Sequence, residues 1–175
     1  TCHLIDMPGA GRSRHSRHTA YGLRAHADTL IDAIDALDLS SVVLVGHDSG
    51  GAIARFAAAK DSRIVGIVSG NTEIPGHMPW LVQLYRVASQ IPFAAPLVRL
   101  AMQFPIVRRS PIGFAGLFTD PAYIEGDFHE WFVKPLIRDT ESLSTQLGLL
   151  RTISEQSETD ALQGAHAAIT VPVRL

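Results

Sequence analysis

The residues best placed to do chemistry lie together in Gly46-His47-Asp48-Ser49-Gly50-Gly51. Four apolar, mostly β-branched residues, Val42-Val43-Leu44-Val45, run into them, and an Ala-rich helical stretch at 50–60 follows. A strand that enters a sharp turn and leaves as a helix matches the pattern small-x-nucleophile-x-small. Such a turn lifts its central side chain above the sheet. Small residues are needed two before and two after it, where strand and helix backbones nearly touch. The helix aims its positive N-terminus at the same point. With Asp48 in the centre the flanks are Gly46 and Gly50, and both fit. With Ser49 in the centre the flanks are His47 and Gly51, and His47 is too bulky. The spacing favours Asp48 and leaves Ser49 as the alternative. A phosphate-binding glycine loop is the other use of such a turn. The segment has neither G-x-x-x-x-G-K-[ST] nor G-x-G-x-x-G.

A carboxylate, with a reference pKa of ~3.9, is ionised at pH 7. It attacks without a base, unlike a serine hydroxyl. It can displace a leaving group from a saturated carbon, giving an alkyl ester that water must then hydrolyse. Attack on an ester or amide would give a reactive anhydride, so esterase or peptidase chemistry is less natural for Asp48. The backbone N–H of Ser49 is the expected oxyanion donor for the hydrolytic step.

Several elements must position this turn. Residues 2–5 read as a short strand closed by the turn Asp6-Met7-Pro8-Gly9-Ala10-Gly11, and 12–20 as a polar, basic loop. Leu23, Ala27, Leu30, Ile31, Ile34 and Leu37 share one helical face. The run 42–45 fits a strand buried on both faces, as in a parallel sheet. Residues 64–68 read as another strand. The order strand-helix-strand-helix-strand predicts a doubly wound α/β sheet. After Asn71 the pattern is helical, at 81–88, 95–104, 126–137 and 142–155, with most of the prolines and both tryptophans. A helix near 160–166 leads to a last strand at 169–173. The organisation expected is a core at 1–74, a helical insertion at 75–153, and a return to the core at 154–175.

Two motifs carry a resemblance. Asp6-Met7-Pro8-Gly9-Ala10-Gly11-Arg12-Ser13 resembles the D-x-P-G-x-G-x-S turn that precedes the elbow in many α/β-hydrolases. The elbow is similar to the G-H-D-x-G-G form of epoxide hydrolases and of haloalkane and haloacid dehalogenases. The insertion resembles their cap domain, and 169–173 the strand after it. The resemblance implies an α/β-hydrolase fold, a mostly parallel sheet with a helical cap inserted between strands, truncated at both ends. It implies an epoxide oxygen or a halide as leaving group, and a histidine-activated water for the second step. It places the other oxyanion donor before Asp6, and the usual acid and histidine after Leu175. The strands at both ends therefore predict a chain cut from a longer protein, inactive on its own.

Glu73 could replace the missing acid, since it follows the strand ending near Ser69, where some haloalkane dehalogenases place theirs. Its other reading is a hinge residue of the cap. Haloalkane dehalogenases usually follow the nucleophile with Trp, and fluoroacetate dehalogenases with Arg; this chain has Ser49. Epoxide opening is accordingly the leading expectation and dehalogenation the alternative. By resemblance, Tyr85 or Tyr123 would protonate the ring oxygen, while Trp80 and Trp131 would line the pocket. The ordinary readings are tyrosines packed with the hydroxyl at the surface and tryptophans in a helical core. A serine-type esterase through Ser49, and a non-catalytic remnant or ligand-binding protein, complete the alternatives. None of the eight histidines falls where the family places its catalytic one. His47 is expected to pack or order the loop, His3, His15, His18 and His26 to be solvated, and His166 to lie at the surface.

Composition bounds the rest. The 175 residues are 46% hydrophobic, as in an ordinary globular domain. Lys+Arg 15 against Asp+Glu 17 gives no electrostatic reason for a nucleic acid or an anionic membrane as partner. A small molecule is the expected partner, and oligomeric state is left open. The single Cys2 excludes an internal disulfide framework and points to a reducing, cytoplasmic compartment. No apolar run reaches the ~18 residues of a membrane span. No His/Cys/Asp/Glu cluster has metal spacing, so neither metal nor cofactor is expected.

Overall fold

The computed structural model describes residues 1–13, 19–77, 79–153 and 156–175. Its elements are α1 (Leu23–Ala36), β1 (Val42–His47), α2 (Ser49–Ala58), β2 (Ile64–Gly70), α3 (Trp80–Ser89), α4 (Ala94–Ala101), α5 (Pro105–Arg108), α6 (Ala122–Glu125), α7 (Lys134–Leu136), α8 (Thr140–Ile153), α9 (Gln156–Ala168) and β3 (Val173–Arg174). A 3-10 turn (Ala115–Leu117) precedes α6, and a π-helical turn (His129–Val133) precedes α7. Two compact units result. One joins Thr19–Arg86 to Leu149–Leu175, the other Thr1–His18 to Val87–Gly148.

The first unit holds the sheet. Its strands lie in the order β1-β2-β3 and run parallel. Register runs from Val42 opposite Ile64 to His47 opposite Gly70, with an irregularity between Val42 and Val43. Helix α2 packs on β1 and β2, and α1 and α9 pack on α2. The core is built from Leu23, Ala27 and Ile34 of α1, Ile53 and Phe56 of α2, Ile64 and Ile67 of β2, and Leu162 of α9. Burying such side chains is worth ~1.5–3 kcal/mol each before chain entropy is counted. Arg63 ties this layer together at the surface, meeting Asp61 and Asp35 of α1 at 2.5 Å each.

The expected burial of β1 on both faces is not observed. Its residues alternate, and Val43 and Val45 are exposed, Val45 to 80%. The reason is layering. Helices α1, α2 and α9 gather on one side, so the face carrying Val43, Val45 and Val68 is left to solvent among the described residues. Two other strand expectations shrink. Residues 2–5 form no strand and are exposed, because no described strand pairs with them. The strand foreseen at 169–173 is reduced to Val173–Arg174, extended by one bond in which the Ile67 N–H donates to Pro172 O.

The second unit is helical, without a strand among its described residues. Proline explains where its helices break. A helix disfavours the residue before Pro and cannot use its missing N–H. The stretch predicted at 95–104 thus ends as α4 at Ala101, and Pro105 opens α5 from the N1 position that suits it. The stretch at 126–137 is interrupted by the π-turn just before Pro135. Phe114, Phe118, Phe128 and Phe132 form an aromatic cluster, with ring centroids 4.9–5.2 Å apart along the chain of contacts. Arg108, buried, is ion-paired to Glu125 and donates to the carbonyls of Met102 and Gln103 at 2.7 and 3.0 Å. The Asp6 turn belongs here too. Arg12 N–H donates to Asp6 Oδ2 at 2.9 Å, and Gln146 reaches Gly9 O at 2.8 Å. Gly11 has φ +52, and a Cβ there would sit 2.3 Å from the Asp6 carboxyl.

Candidate active site

Strand β1 ends at His47 and α2 starts at Ser49, so Asp48 makes the whole turn. Its φ of 53° and ψ of −131° lie where L-residues are strained, by about 1–3 kcal/mol. Its N–H donates to Gly70 O at 3.0 Å, and its own carbonyl accepts from Gly51 N–H at 2.9 Å. The side chain is exposed and makes no capping bond to α2. A Cβ on Gly46 would lie 2.4 Å from the carbonyl carbon and oxygen of Gly50. Strand and helix backbones therefore touch there, as the glycine spacing foretold.

The downstream flank is different from expectation. A Cβ on Gly50 meets nothing within 4 Å. The crowded residue is Gly51, where a Cβ would lie 2.2 Å from Ser69 Oγ and 2.5 Å from Thr72 Oγ1. The reason is direction: Gly50 faces outward on the first turn of α2, and Gly51 faces the loop that leaves β2. Ser49 opens α2, half-buried, in the first helical turn, where backbone N–H groups have no acceptor within the helix.

That loop brings in Glu73. Asn71, at φ 45°, turns the chain at the end of β2. Thr72 Oγ1 donates to Glu73 Oε2 at 3.1 Å. Burial pushes the Glu73 carboxyl above the usual carboxylate range, and the charge of Asp48 adds to the rise; the Thr72 hydrogen bond and Arg55 oppose it. Arg55 of α2, only 4% exposed, donates from Nε to Gly51 O (3.2 Å) and from Nη2 to Thr72 Oγ1 (3.0 Å) and Glu73 O (2.6 Å). The sequence reading passed over Arg55. Its signal was a lone charge in the apolar run of α2, where every residue from Gly51 to Ala57 is buried.

The other candidates scatter. Tyr85 is half-buried on α3, and burial raises its hydroxyl pKa; Trp80, at the start of α3, is 75% exposed. Tyr123 and Trp131 belong to the other unit and are exposed there. Tyr123 stacks on Phe118, and Arg12 lies 6.0 Å from the Trp131 ring centre. Neither tryptophan is in a core. His47 does not pack either: it is exposed, with Nε2 3.5 Å from Asn71 Nδ2. His3 and His166 are exposed; His15 and His18 lie outside the described residues.

His26, expected in solvent, is 2% exposed, because it sits on the inner face of α1 beside the edge of Tyr21. Its Nδ1 has no hydrogen-bond partner, and burial lowers its pKa. The unfolded chain then binds the proton more readily, so stability is present above the unfolded pKa of ~6.5 and falls as pH drops through the folded value. Urea midpoints measured from pH 7.5 to 5 should decline, and His26→Leu should flatten the decline. Equal slopes in both proteins would rule His26 out as its source.

Among the described residues no group of three His, Cys, Asp or Glu is placed to hold a metal ion. No described helix is long and apolar enough to cross a membrane.

Comparison with known proteins adds three kinds of likeness. A family model described as alpha/beta hydrolase fold matches residues 1–102. The magnesium-chelatase 30 kDa subunit of Rhodobacter capsulatus is 32% identical over 151 residues, covering 75% of this chain and 53% of that protein. The chain thus spans about half the length of that curated relative. Among solved structures, a carboxylesterase study of Nitrososphaera gargenis gives a TM-score of 0.63 at 19% identity, covering 96% of this chain and 58% of that one. Cfl2 of Burkholderia cenocepacia gives 0.60 at 18%, covering 97% and 69%. A putative epoxide hydrolase of Pseudomonas aeruginosa gives 0.55 at 16%, covering 96% and 59%. At these identities the structural likeness speaks for the fold alone.

Proposed function

Because the chain belongs to the family with the alpha/beta hydrolase fold, we propose that it is the elbow-bearing part of a hydrolase that opens epoxides through Asp48. One observation carries the reading: the strained residue between β1 and α2 is an exposed carboxylate. The Asp48 oxygen forms a bond to a ring carbon as that carbon's bond to the epoxide oxygen breaks. The ring oxygen takes a proton, for which Tyr85, in the same unit as Asp48, is the candidate donor. Water then adds to the ester carbonyl, with the Ser49 N–H facing the oxyanion. Collapse returns the Asp48 carboxylate and releases a diol, so one epoxide and one water are consumed. Glu73 is the candidate acid of the site, and Trp80, in the same unit as Asp48, a candidate side chain of the small-molecule pocket. Loss of halide from a haloalkane or haloacid by the same first step is the close alternative.

Intact mass after quenching tests this in the purified protein. Incubation with styrene oxide or a short alkyl halide should add one alkyl group, mapping to Asp48. An adduct on Ser49 from an acyl probe, with none on Asp48, would replace the reading with a serine esterase.

A second reading has its own observation. The relative at 32% identity carries the name of a chelatase subunit, not of a hydrolase. On that reading the scaffold binds a ligand without turnover, and neither class of probe labels it.

A further inference from the structure

We propose that Arg55 is a positioning residue that acts through the Thr72 hydroxyl to fix the Glu73 carboxyl group in the site. The inference rests on Glu73 as the acid of the proposed hydrolase. Its argument is one of hydrogen-bond direction. A guanidinium can only donate. Thr72 Oγ1 therefore accepts from Arg55 Nη2 at 3.0 Å, and its single hydrogen is left for Glu73 Oε2 at 3.1 Å. The rotor of the hydroxyl is set by a charge lying behind it.

The same Nη2 donates to Glu73 O at 2.6 Å, which pins the backbone carrying the carboxylate. The Nε bond to Gly51 O refers the loop to α2, three residues past Asp48. Gly51 makes this possible, since any Cβ there would strike Thr72 Oγ1 and Ser69 Oγ. Arg55 thus joins the two segments that carry the two carboxylates.

Stability alone does not account for a cation at this position. The rest of 51–57 is a buried run of small and apolar residues, and an apolar side chain at 55 would avoid desolvating a charge. Arg55 instead spends its side-chain hydrogen bonds on the elbow helix and on residues 72 and 73.

The test is the Glu73 titration midpoint, followed by carboxyl-carbon NMR in the intact protein. A donor to the ionised carboxylate lowers its pKa. Thr72→Val, close in shape but without the hydrogen, should raise the midpoint by roughly half a unit to one unit. Thr72→Ser should leave it near the wild-type value. Arg55→Lys keeps the buried cation, and with it the direct effect of its charge on Glu73, but not the fork; it should raise the midpoint too, and add little when combined with Thr72→Val, because both cut the same chain. Should Arg55→Lys fail to fold, Arg55→Met removes the fork and the charge together, and should raise the midpoint by more than Thr72→Val does. An unmoved midpoint in Thr72→Val, or in the folded Arg55 variant, overturns the relay. So does full additivity in the double variant. Labelling of Asp48 by styrene oxide is measured in parallel on the wild type. Labelling with an unmoved midpoint sinks the relay and spares the hydrolase. A moved midpoint without labelling leaves the relay geometry standing and removes the hydrolase reading that gave it a purpose.

Discussion

Asp48→Gly should abolish covalent labelling and, at the same time, make the protein more stable. The two effects have separate causes in one residue. Labelling requires the carboxylate, and a variant without one should show less than a thousandth of the wild-type rate. Stability responds to the backbone. At φ 53° and ψ −131°, aspartate holds a conformation that glycine adopts without strain. Relief of ~1–3 kcal/mol, less the ~0.5–1 kcal/mol of glycine's extra chain entropy, leaves a gain on the order of 1 kcal/mol. Little is lost against it, since the exposed side chain makes no capping bond. Loss of the Asp48 charge also relieves Glu73, whose carboxyl that charge pushes upward.

Asp48→Asn separates the terms. It removes the charge and the nucleophile but keeps the strain, so it should be as inert as glycine and less stable than it. Urea unfolding and intact mass measure both. A glycine variant less stable than wild type would mean the turn stores no strain. A labelled one would mean the nucleophile lies elsewhere.

The turn was legible in the sequence because its requirements are local. A β-branched run, two glycines at fixed spacing and an Ala-rich helix each point to the same geometry, and α1, β1, α2 and β2 fell within a few residues of their expected places. What was not legible depends on neighbours. Val43 and Val45 read as buried because they are apolar, yet which face of a strand is covered depends on where helices dock. His26 read as solvated because histidine is polar; the 3.6-residue period put it beside Ala27 on the inner face of α1. Residues 2–5 have strand composition without a described strand to pair with. Arg55 and Thr72 were invisible for the same reason: their partnership links positions 17 residues apart, and no local pattern announces it.

The glycines give the sharpest contrast between pattern and packing, and the second large effect. The motif treats Gly46 and Gly50 alike. Gly46→Ala should cost roughly 3 kcal/mol, because its new methyl meets Gly50 backbone at 2.4 Å and Gly51 N at 2.6 Å. Backbone on both sides cannot swing away as a side chain can, so β1 and α2 must separate and Asp48 moves with them. Gly50→Ala should be neutral or stabilising, by up to about 1 kcal/mol, since the methyl enters open space on a helix. Gly51→Ala should fall between them, for it displaces Ser69 Oγ and Thr72 Oγ1, side-chain atoms that can yield in part. The expected order of urea midpoints is therefore Gly50→Ala highest, then Gly51→Ala, then Gly46→Ala. Labelling of Asp48 should follow the same order, because each displacement acts on the turn that holds the carboxylate. A Gly50→Ala protein as damaged as Gly46→Ala would show that helix and strand approach each other at both flanks, and would return the second glycine to the role its spacing suggests.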